Sequence, residues 1–377
     1  MTSVGSDHKI WIGFVSATGG LGGPSRSLAT LLHHLDGKVG RVLLAPNGSF
    51  VDLVRNKQSL EEHIRLVRSP RGLLRSRLSR LVAAVQIASW SIRNRDRITA
   101  IHANGHAELS LVALGALTAG IPVVVWAHAS ELSSLGKKLG RWWRRLLPSI
   151  RWTAVSPEAH RALVDAGLVN SGTSVVIVPN PIDPSDVVAT TQNERVRTTI
   201  GFLQGRGHTT GYHMLPDVVE ALQELPVRWL VFANAPPRGS PSHQTDVWVR
   251  LSNFGTARVE LRGKVANVAD AYAECDIVFC PSLRESFGRV AAEAMLNEIP
   301  VVASDIAPLR RLVGNEEAGL LFPVGDVDCA AARLRLLVED PGLRRELGRR
   351  GKERARVFDP QLVVAAMLEI YTGPQVG

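Results

Sequence analysis

Cysteine is scarce: Cys275, Cys280 and Cys329 are the whole complement of a 377-residue chain. Their number and spacing argue against a disulfide-stapled scaffold and match no metal-ligand pattern. Free thiols in a reducing, cytosolic setting are the simplest reading. Residues 1–9 carry no basic segment leading into an apolar core, so no secretory signal is expected. Long apolar runs are missing as well. The longest uncharged stretch, Leu109 to Trp126, is broken by Gly120-Ile121-Pro122 and reads as a buried helix followed by a parallel strand, not a membrane span. There is no fixed-period repeat and no low-complexity tract. Lysine is also rare, with seven residues, so arginine carries most of the net charge of +9. Such a balance favours anionic partners without choosing among phosphate ligands, acidic lipid and nucleic acid.

What remains is the composition of a soluble globular protein, 45% hydrophobic and 21% charged, at a length that predicts two domains. Short β-branched runs alternate with helical patterns. In the first half, strands are expected at Ile10–Ser16, Arg41–Ala45, Ala100–Ala103, Val123–Ala127, Trp152–Val155 and Val175–Val178. Helices are expected at Pro24–Leu35, Leu73–Asn94, Glu108–Ala119 and Pro157–Ala166. The polar segment Pro181 to Thr199 reads as a linker, after which the alternation restarts at Thr199–Leu203. The pattern predicts an α/β fold of two parallel-sheet domains, residues 1–185 and 199–358, facing across a cleft, with ligands at the carboxyl ends of the strands.

The most informative stretch runs from Pro281 to Met295. It follows an apolar strand, opens a helix and places Glu285 and Glu293 eight positions apart. A helical path would separate them by roughly 12 Å. That exceeds the limit of about 10 Å for an acid/base pair acting on one glycosidic oxygen. It suits the two ends of one extended ligand. Between them, the backbone N–H groups of Ser286, Phe287 and Gly288 would form an anion site at a helix start. A nucleotide sugar has hydroxyls at both ends and a diphosphate between. Taken alone, such a pair of glutamates reads more readily as a solvated loop residue and a helix-surface residue.

The stretch is not alone, and it resembles the retaining family 4 glycosyltransferases of the GT-B fold. The likeness continues through Pro300-Val301-Val302-Ala303-Ser304-Asp305, Gly319-Leu320-Leu321-Phe322-Pro323 and Gly325-Asp326. Earlier echoes are Gly22-Gly23, Ile101-His102-Ala103, Val125-Trp126-Ala127-His128, Val155-Ser156 and Val178-Pro179-Asn180-Pro181. Phe358-Asp359-Pro360 resembles the point where a last helix, 360–377, crosses back to the first domain. The resemblance implies two Rossmann-like domains, a first for the acceptor and a second for the donor. Glu285 would contact the transferred sugar, Ser286, Phe287 and Gly288 the sugar and phosphate, Val290 the nucleoside and Glu293 the ribose. His128 would sit at the reacting centre, and Gly22 and Gly23 would admit the diphosphate. Asn104, His106 and Glu131 are acceptor candidates. His128 reads otherwise as a satisfied histidine at a strand end, and Gly22-Gly23-Pro24 as a plain helix start. The third glycine of a dinucleotide fingerprint is missing, which argues against an oxidoreductase.

Two expected cations are absent. Aligned on Gly201 and Gly211, Phe202 stands for the family's arginine and Thr210 for its lysine, both of which neutralise the departing diphosphate. Losing one such donor costs about 10²–10³ in rate. Arg206, His208 or Arg289 would have to supply the charge, and Arg206 is the first candidate. No metal and no cofactor beyond the nucleotide-sugar co-substrate is expected; Asp326-Val327-Asp328 looks like a metal motif, but Asp328 reads as a helix N-cap.

Two basic stretches, Arg65 to Arg97 and Lys137 to Trp152, interleave arginine with apolar residues and tryptophan. They read as solvated helix faces or as interfacial segments for an anionic membrane, which would place a cytoplasmic protein peripherally on the inner face. No nucleic-acid motif accompanies the charge. The expected reaction moves a hexose-type sugar from a nucleoside diphosphate to an acceptor hydroxyl of a glycan, lipid or small molecule. The alternatives are a nucleotide-sugar epimerase on the same fold and a non-catalytic sugar-nucleotide-binding homologue.

Overall fold

The computed structural model describes residues 10–373 apart from 21, 67–76, 129–141, 143–145, 148, 171, 184, 186–196, 234, 238, 240–241 and 264–267. The chain divides into two compact units, Met1–Pro181 with Pro360–Gly377, and Ile182–Asp359.

The first unit is built on a seven-stranded sheet, all parallel, in the order β3-β2-β1-β4-β5-β6-β7. Its strands are β1 (Trp11–Val15), β2 (Gly40–Ala45), β3 (Glu62–Arg65), β4 (Ala100–Ala103), β5 (Val123–Ala127), β6 (Ile150–Ala154) and β7 (Val175–Ile177). β5 is buried along its whole length, as a central parallel strand with helices on both faces must be. β3 has no continuous apolar run and was not expected from the sequence; its residues are half-buried or exposed at the sheet edge. The second unit carries six parallel strands in the order β10-β9-β8-β11-β12-β13. They are β8 (Thr198–Phe202), β9 (Val227–Phe232), β10 (Val259–Arg262), β11 (Ile277–Cys280), β12 (Val301–Ser304) and β13 (Leu320–Phe322). Each sheet reverses strand order once, between β1 and β4 and between β8 and β11. Chains leaving such a switch point diverge, which opens a crevice at the carboxyl ends of the strands.

The last helix, Pro360–Thr372, packs in the first unit. The Tyr371 hydroxyl lies 2.7 Å from His102 Nδ1, and both are buried. Arg151 caps the helix end: Nη1 donates to the carbonyls of Ile370 (2.6 Å) and Tyr371 (2.9 Å), and Nη2 to that of Gly373 (2.6 Å). A cation on the last carbonyls satisfies groups that have no partner within the helix and opposes the negative end of its dipole. Arg151 is therefore not part of a basic face, and Trp152 is 4% exposed. Both correct the expectation for 137–152, most of which lies outside the described residues.

The helix Arg77–Arg93 is laid out unusually. Ala83, Ala84, Ile87, Ala88 and Ser91 are buried, while Leu78 is 71%, Leu81 61%, Val85 53% and Ile92 48% exposed. The small residues allow close approach to the neighbouring helix Leu109–Ala119: a Cβ on Gly115 would lie 3.1 Å from Ala88 Cα and 2.7 Å from Ser91 Oγ. The larger side chains are left outside. Arg80 turns to the Ala107 carbonyl and Ser110, and Arg97 stacks 3.4 Å over the Trp11 ring.

Candidate active site

In the second unit, both loops at the switch point converge on Glu285. β8 runs out through Leu203 to Gln204, which is 6% exposed; β11 runs out through Pro281 to Ser282, which is fully buried. Gln204 Nε2 donates to Ser282 Oγ (2.8 Å) and Glu285 Oε1 (3.2 Å), and the Ser282 hydroxyl donates to the same carboxylate oxygen at 3.0 Å. Burial raises the Glu285 carboxyl above its ordinary range, and the Ser282 hydrogen bond opposes the shift. The two loops are also tied by backbone. Leu283 N–H donates to the Thr209 carbonyl at 2.8 Å, and a Cβ on Gly211 would meet the Pro281 carbonyl oxygen at 1.9 Å. Gly211 has φ +73°, so glycine is needed there twice over.

The helix after this loop spans Arg289–Leu296, with Gly288 as its N-cap at φ +92°. Phe287 lies before the helix and folds inward, edge-on to Phe358 with ring centroids 5.0 Å apart. Ser286 and Phe287 thus precede the helix. A Cβ on Gly288 would meet Leu309 Cδ2 at 2.7 Å, so backbone conformation and packing both favour glycine here. Glu293 is 3% exposed: the Tyr272 hydroxyl donates to Oε2 at 2.8 Å, and Arg289 Nε stands 2.5 Å from Oε1. Each oxygen retains a second lone pair. Val290 is half-buried.

The expected cation positions are occupied in other ways. Phe202 is fully buried in the unit's core, beside Tyr212. An arginine there would be set among apolar side chains. Thr210 Oγ1 lies 2.5 Å from the Gly205 carbonyl and 2.6 Å from that of Gly207, closing the turn. Arg206, half-buried, donates to Gln244 Oε1 at 3.2 Å. Asp326, not Asp328, is the N-cap of the helix Val327–Glu339, accepting from Cys329 N at 2.9 Å. Among the described residues, no three His, Cys, Asp or Glu side chains are grouped as metal ligands.

In the first unit, the loop after β1 and the loop after β4 meet at the other switch point. Asn104 is 5% exposed; its Nδ2 donates to the Pro24 carbonyl (3.3 Å), so its Oδ1 accepts from His128 Nε2 (3.0 Å). His128 therefore carries its proton on Nε2 when neutral. Glu108 had no signal in the sequence beyond its place at a helix start. It is buried, and its Oε1 accepts from Ala17 N at 3.2 Å. Burial pushes its carboxyl up to about 7, against the Ala17 hydrogen bond and the Arg80 charge. Asn104 and Glu108 thus hold both ends of the loop that contains Gly22 and Gly23. Those two glycines are exposed, and a Cβ on either would meet no described atom within 4 Å. His106 is half-buried in a short 3₁₀ turn, and burial lowers it to about 4. Glu131 lies outside the described residues.

A family model described as Glycosyl transferases group 1 matches residues 197–354, and one described as Glycosyltransferase Family 4 matches residues 21–186. The chain belongs to the family 4, group 1 glycosyltransferases. This glycosyltransferase is 27% identical over 300 residues to the phosphatidyl-myo-inositol mannosyltransferase of Mycobacterium leprae, covering 76% of each chain. It is 40% identical to the D-inositol 3-phosphate glycosyltransferase of Kineococcus radiotolerans, but over 114 residues, which are 28% of this chain and 26% of that one. Among solved structures, the Anabaena protein HepE in complex with UDP-glucose matches with a TM-score of 0.80 at 20% identity, covering 97% of this chain and all 100% of that one. A glycosyltransferase from Rickettsia africae matches with a TM-score of 0.80 at 16% identity, covering 96% and 98%. The fold of the glycosyltransferase is GT-B, with a Rossmann-like parallel sheet in each unit.

Proposed function

We propose that the chain transfers a hexose-type sugar from a nucleoside-diphosphate sugar to an acceptor hydroxyl, with retention at the anomeric carbon and without a metal. The observation that carries this reading is the Glu285 carboxylate, anchored through one oxygen by Gln204 and Ser282 at the switch point of the second unit. In the reaction, the bond from the anomeric carbon to the diphosphate oxygen breaks. A bond to the acceptor oxygen forms on the same face, and the acceptor proton leaves with the diphosphate. Glu285 would hold the sugar, the backbone at Ser286, Phe287 and Gly288 the sugar and phosphate, Val290 the nucleoside and Glu293 the ribose. Gly22 and Gly23 would face the diphosphate, Arg206 would offset its charge, and His128 would stand at the reacting centre. Asn104, with both amide atoms engaged, braces His128, and His106 is then the acceptor-side candidate among the described residues. HepE bound to UDP-glucose makes that nucleotide sugar the first donor to try. A thermal-shift panel of UDP, GDP, ADP, CDP and dTDP with their common sugars, on the wild type and Glu293→Ala, tests the reading. One nucleotide should stabilise the wild type and lose its effect in the variant. No response to any of them contradicts the reading.

A lipid-linked acceptor reached at an anionic membrane surface is favoured by a separate observation. The exposed stripe Leu78, Leu81, Val85 and Ile92 lies on one face of a helix that ends at Arg93, and the mannosyltransferase relative is named for phosphatidyl-myo-inositol, a lipid. Large apolar side chains turned outward beside arginine suit an interfacial helix on anionic lipid. Among the described residues, no helix is long and apolar enough to cross a membrane.

A further inference from the structure

Gln204 carries a buried oxygen that no hydrogen bond among the described residues meets. Its orientation is fixed by its neighbours. Glu285 Oε1 already accepts from the Ser282 hydroxyl at 3.0 Å, so only a donor can approach it at 3.2 Å. The amide therefore presents Nε2 to Glu285 and to Ser282 Oγ (2.8 Å). Turning it over would set two acceptor oxygens against each other. This leaves Gln204 Oε1 buried and without a partner among the described residues. An unmet buried acceptor is costly, and folded proteins rarely carry one without a reason.

The chemistry of the atom selects what would meet it. An amide oxygen accepts and does not donate, so phosphate oxygens are poor partners for it. A hydroxyl donates. Gln204 follows the end of β8 and touches Glu285, the residue already assigned to the sugar. We infer that Gln204 is a specificity-determining residue of the donor site, its Oε1 accepting a hydrogen bond from a hydroxyl of the transferred sugar while its Nε2 holds Glu285 in place. This rests on the donor-site reading above and deepens it. One side chain both reads the sugar and orients the carboxylate that reads it, so the pair recognises neighbouring hydroxyls and ignores the nucleotide.

The test is calorimetric titration of the full chain with UDP and UDP-glucose, and with GDP and GDP-mannose as a second pair. It uses the wild type, Gln204→Met, which keeps length and apolar contact, and Ser282→Ala. The wild type should bind one sugar nucleotide more tightly than its bare nucleotide. Gln204→Met should leave the bare nucleotide within about 2-fold and weaken the sugar nucleotide about 10- to 100-fold, one to two multiples of 1.4 kcal/mol. Ser282→Ala, which leaves Gln204 in place, should lose less. A deoxy sugar lacking the recognised hydroxyl should cost the wild type affinity and cost Gln204→Met nothing further. Equal weakening of nucleotide and sugar nucleotide in Gln204→Met would overturn the inference, since it would mean the residue only holds the loop. Unchanged sugar-nucleotide binding in that variant would overturn it too, with the donor site intact. A wild type that binds no nucleotide removes the donor-site reading and this inference with it.

Discussion

At the scale of single residues, the most consequential charge is one the sequence did not announce. Glu108 is pushed by burial from an ordinary 4.5 to about 7, so the folded chain keeps a proton that the unfolded chain has lost. The stability tied to that proton is complete below about pH 4.5 and is lost as pH rises through 7. Glu108→Gln keeps an acceptor for the Ala17 amide and cannot ionise. It should melt above the wild type at pH 8, by a margin on the order of 2 kcal/mol, and by less at pH 5. Equal melting at pH 8 would show that the buried carboxyl is not the group that titrates. Glu108 was hidden because burial, not residue type, sets its behaviour, and burial depends on Ala17, which is 91 positions away. Glu285 and Glu293 were legible because their spacing and the intervening glycine follow a family pattern. Their detailed settings were not. Nothing in a run of letters says that Arg289 and Tyr272 close on Glu293, or that Phe202 points into the core.

At the scale of elements, boundaries followed the balance between backbone and side-chain demands. β4 and β5 fall where short apolar runs predict them. The short helices Ser49–Asn56, Val268–Ala273 and Ala307–Val313 give no readable signal in the sequence, since little more than two turns at most show too little periodicity. Gly211 is where an element is held most tightly. Gly211→Ala puts a Cβ 1.9 Å from the Pro281 carbonyl oxygen at φ +73°. The loop carrying Thr209 must then move off the loop carrying Glu285. A loss of about 1–3 kcal/mol in chemical denaturation is expected, with a fall in activity; a fully active variant would show the two loops to be independent. Arg151→Ala strands three carbonyls at the end of the last helix and should cost about 1–3 kcal/mol. Unchanged stability would mean solvent satisfies those carbonyls equally well. On the helix Arg77–Arg93, Leu81→Glu with Val85→Glu should leave the melting temperature within a degree or so, because both side chains are exposed. The same pair should abolish co-sedimentation with anionic vesicles at low salt. Vesicle binding equal to wild type would remove that helix from any membrane surface.

At the scale of the whole molecule, alternation of strands and helices was enough to specify parallel α/β architecture. The resemblance supplied the rest of the frame, including the last helix in the first unit, where Tyr371 and Arg151 now give the physical reason it stays. The function divides along the same line. Glycosyl transfer follows from the family, while donor, stereochemistry and acceptor rest on how a few side chains meet at two switch points. The epimerase and binding-only alternatives differ from transfer in what becomes of the sugar. The decisive measurement follows UDP-glucose, or whichever nucleotide sugar the panel selects, by NMR in the presence of a glycolipid and glycan extract. It compares the wild type with Glu285→Gln. Retaining transfer predicts nucleoside diphosphate release matched by sugar on an acceptor with retained anomeric configuration, and a rate at least about 10²-fold lower in the variant. An isomerised nucleotide sugar without acceptor, or equal rates in both proteins, would contradict it.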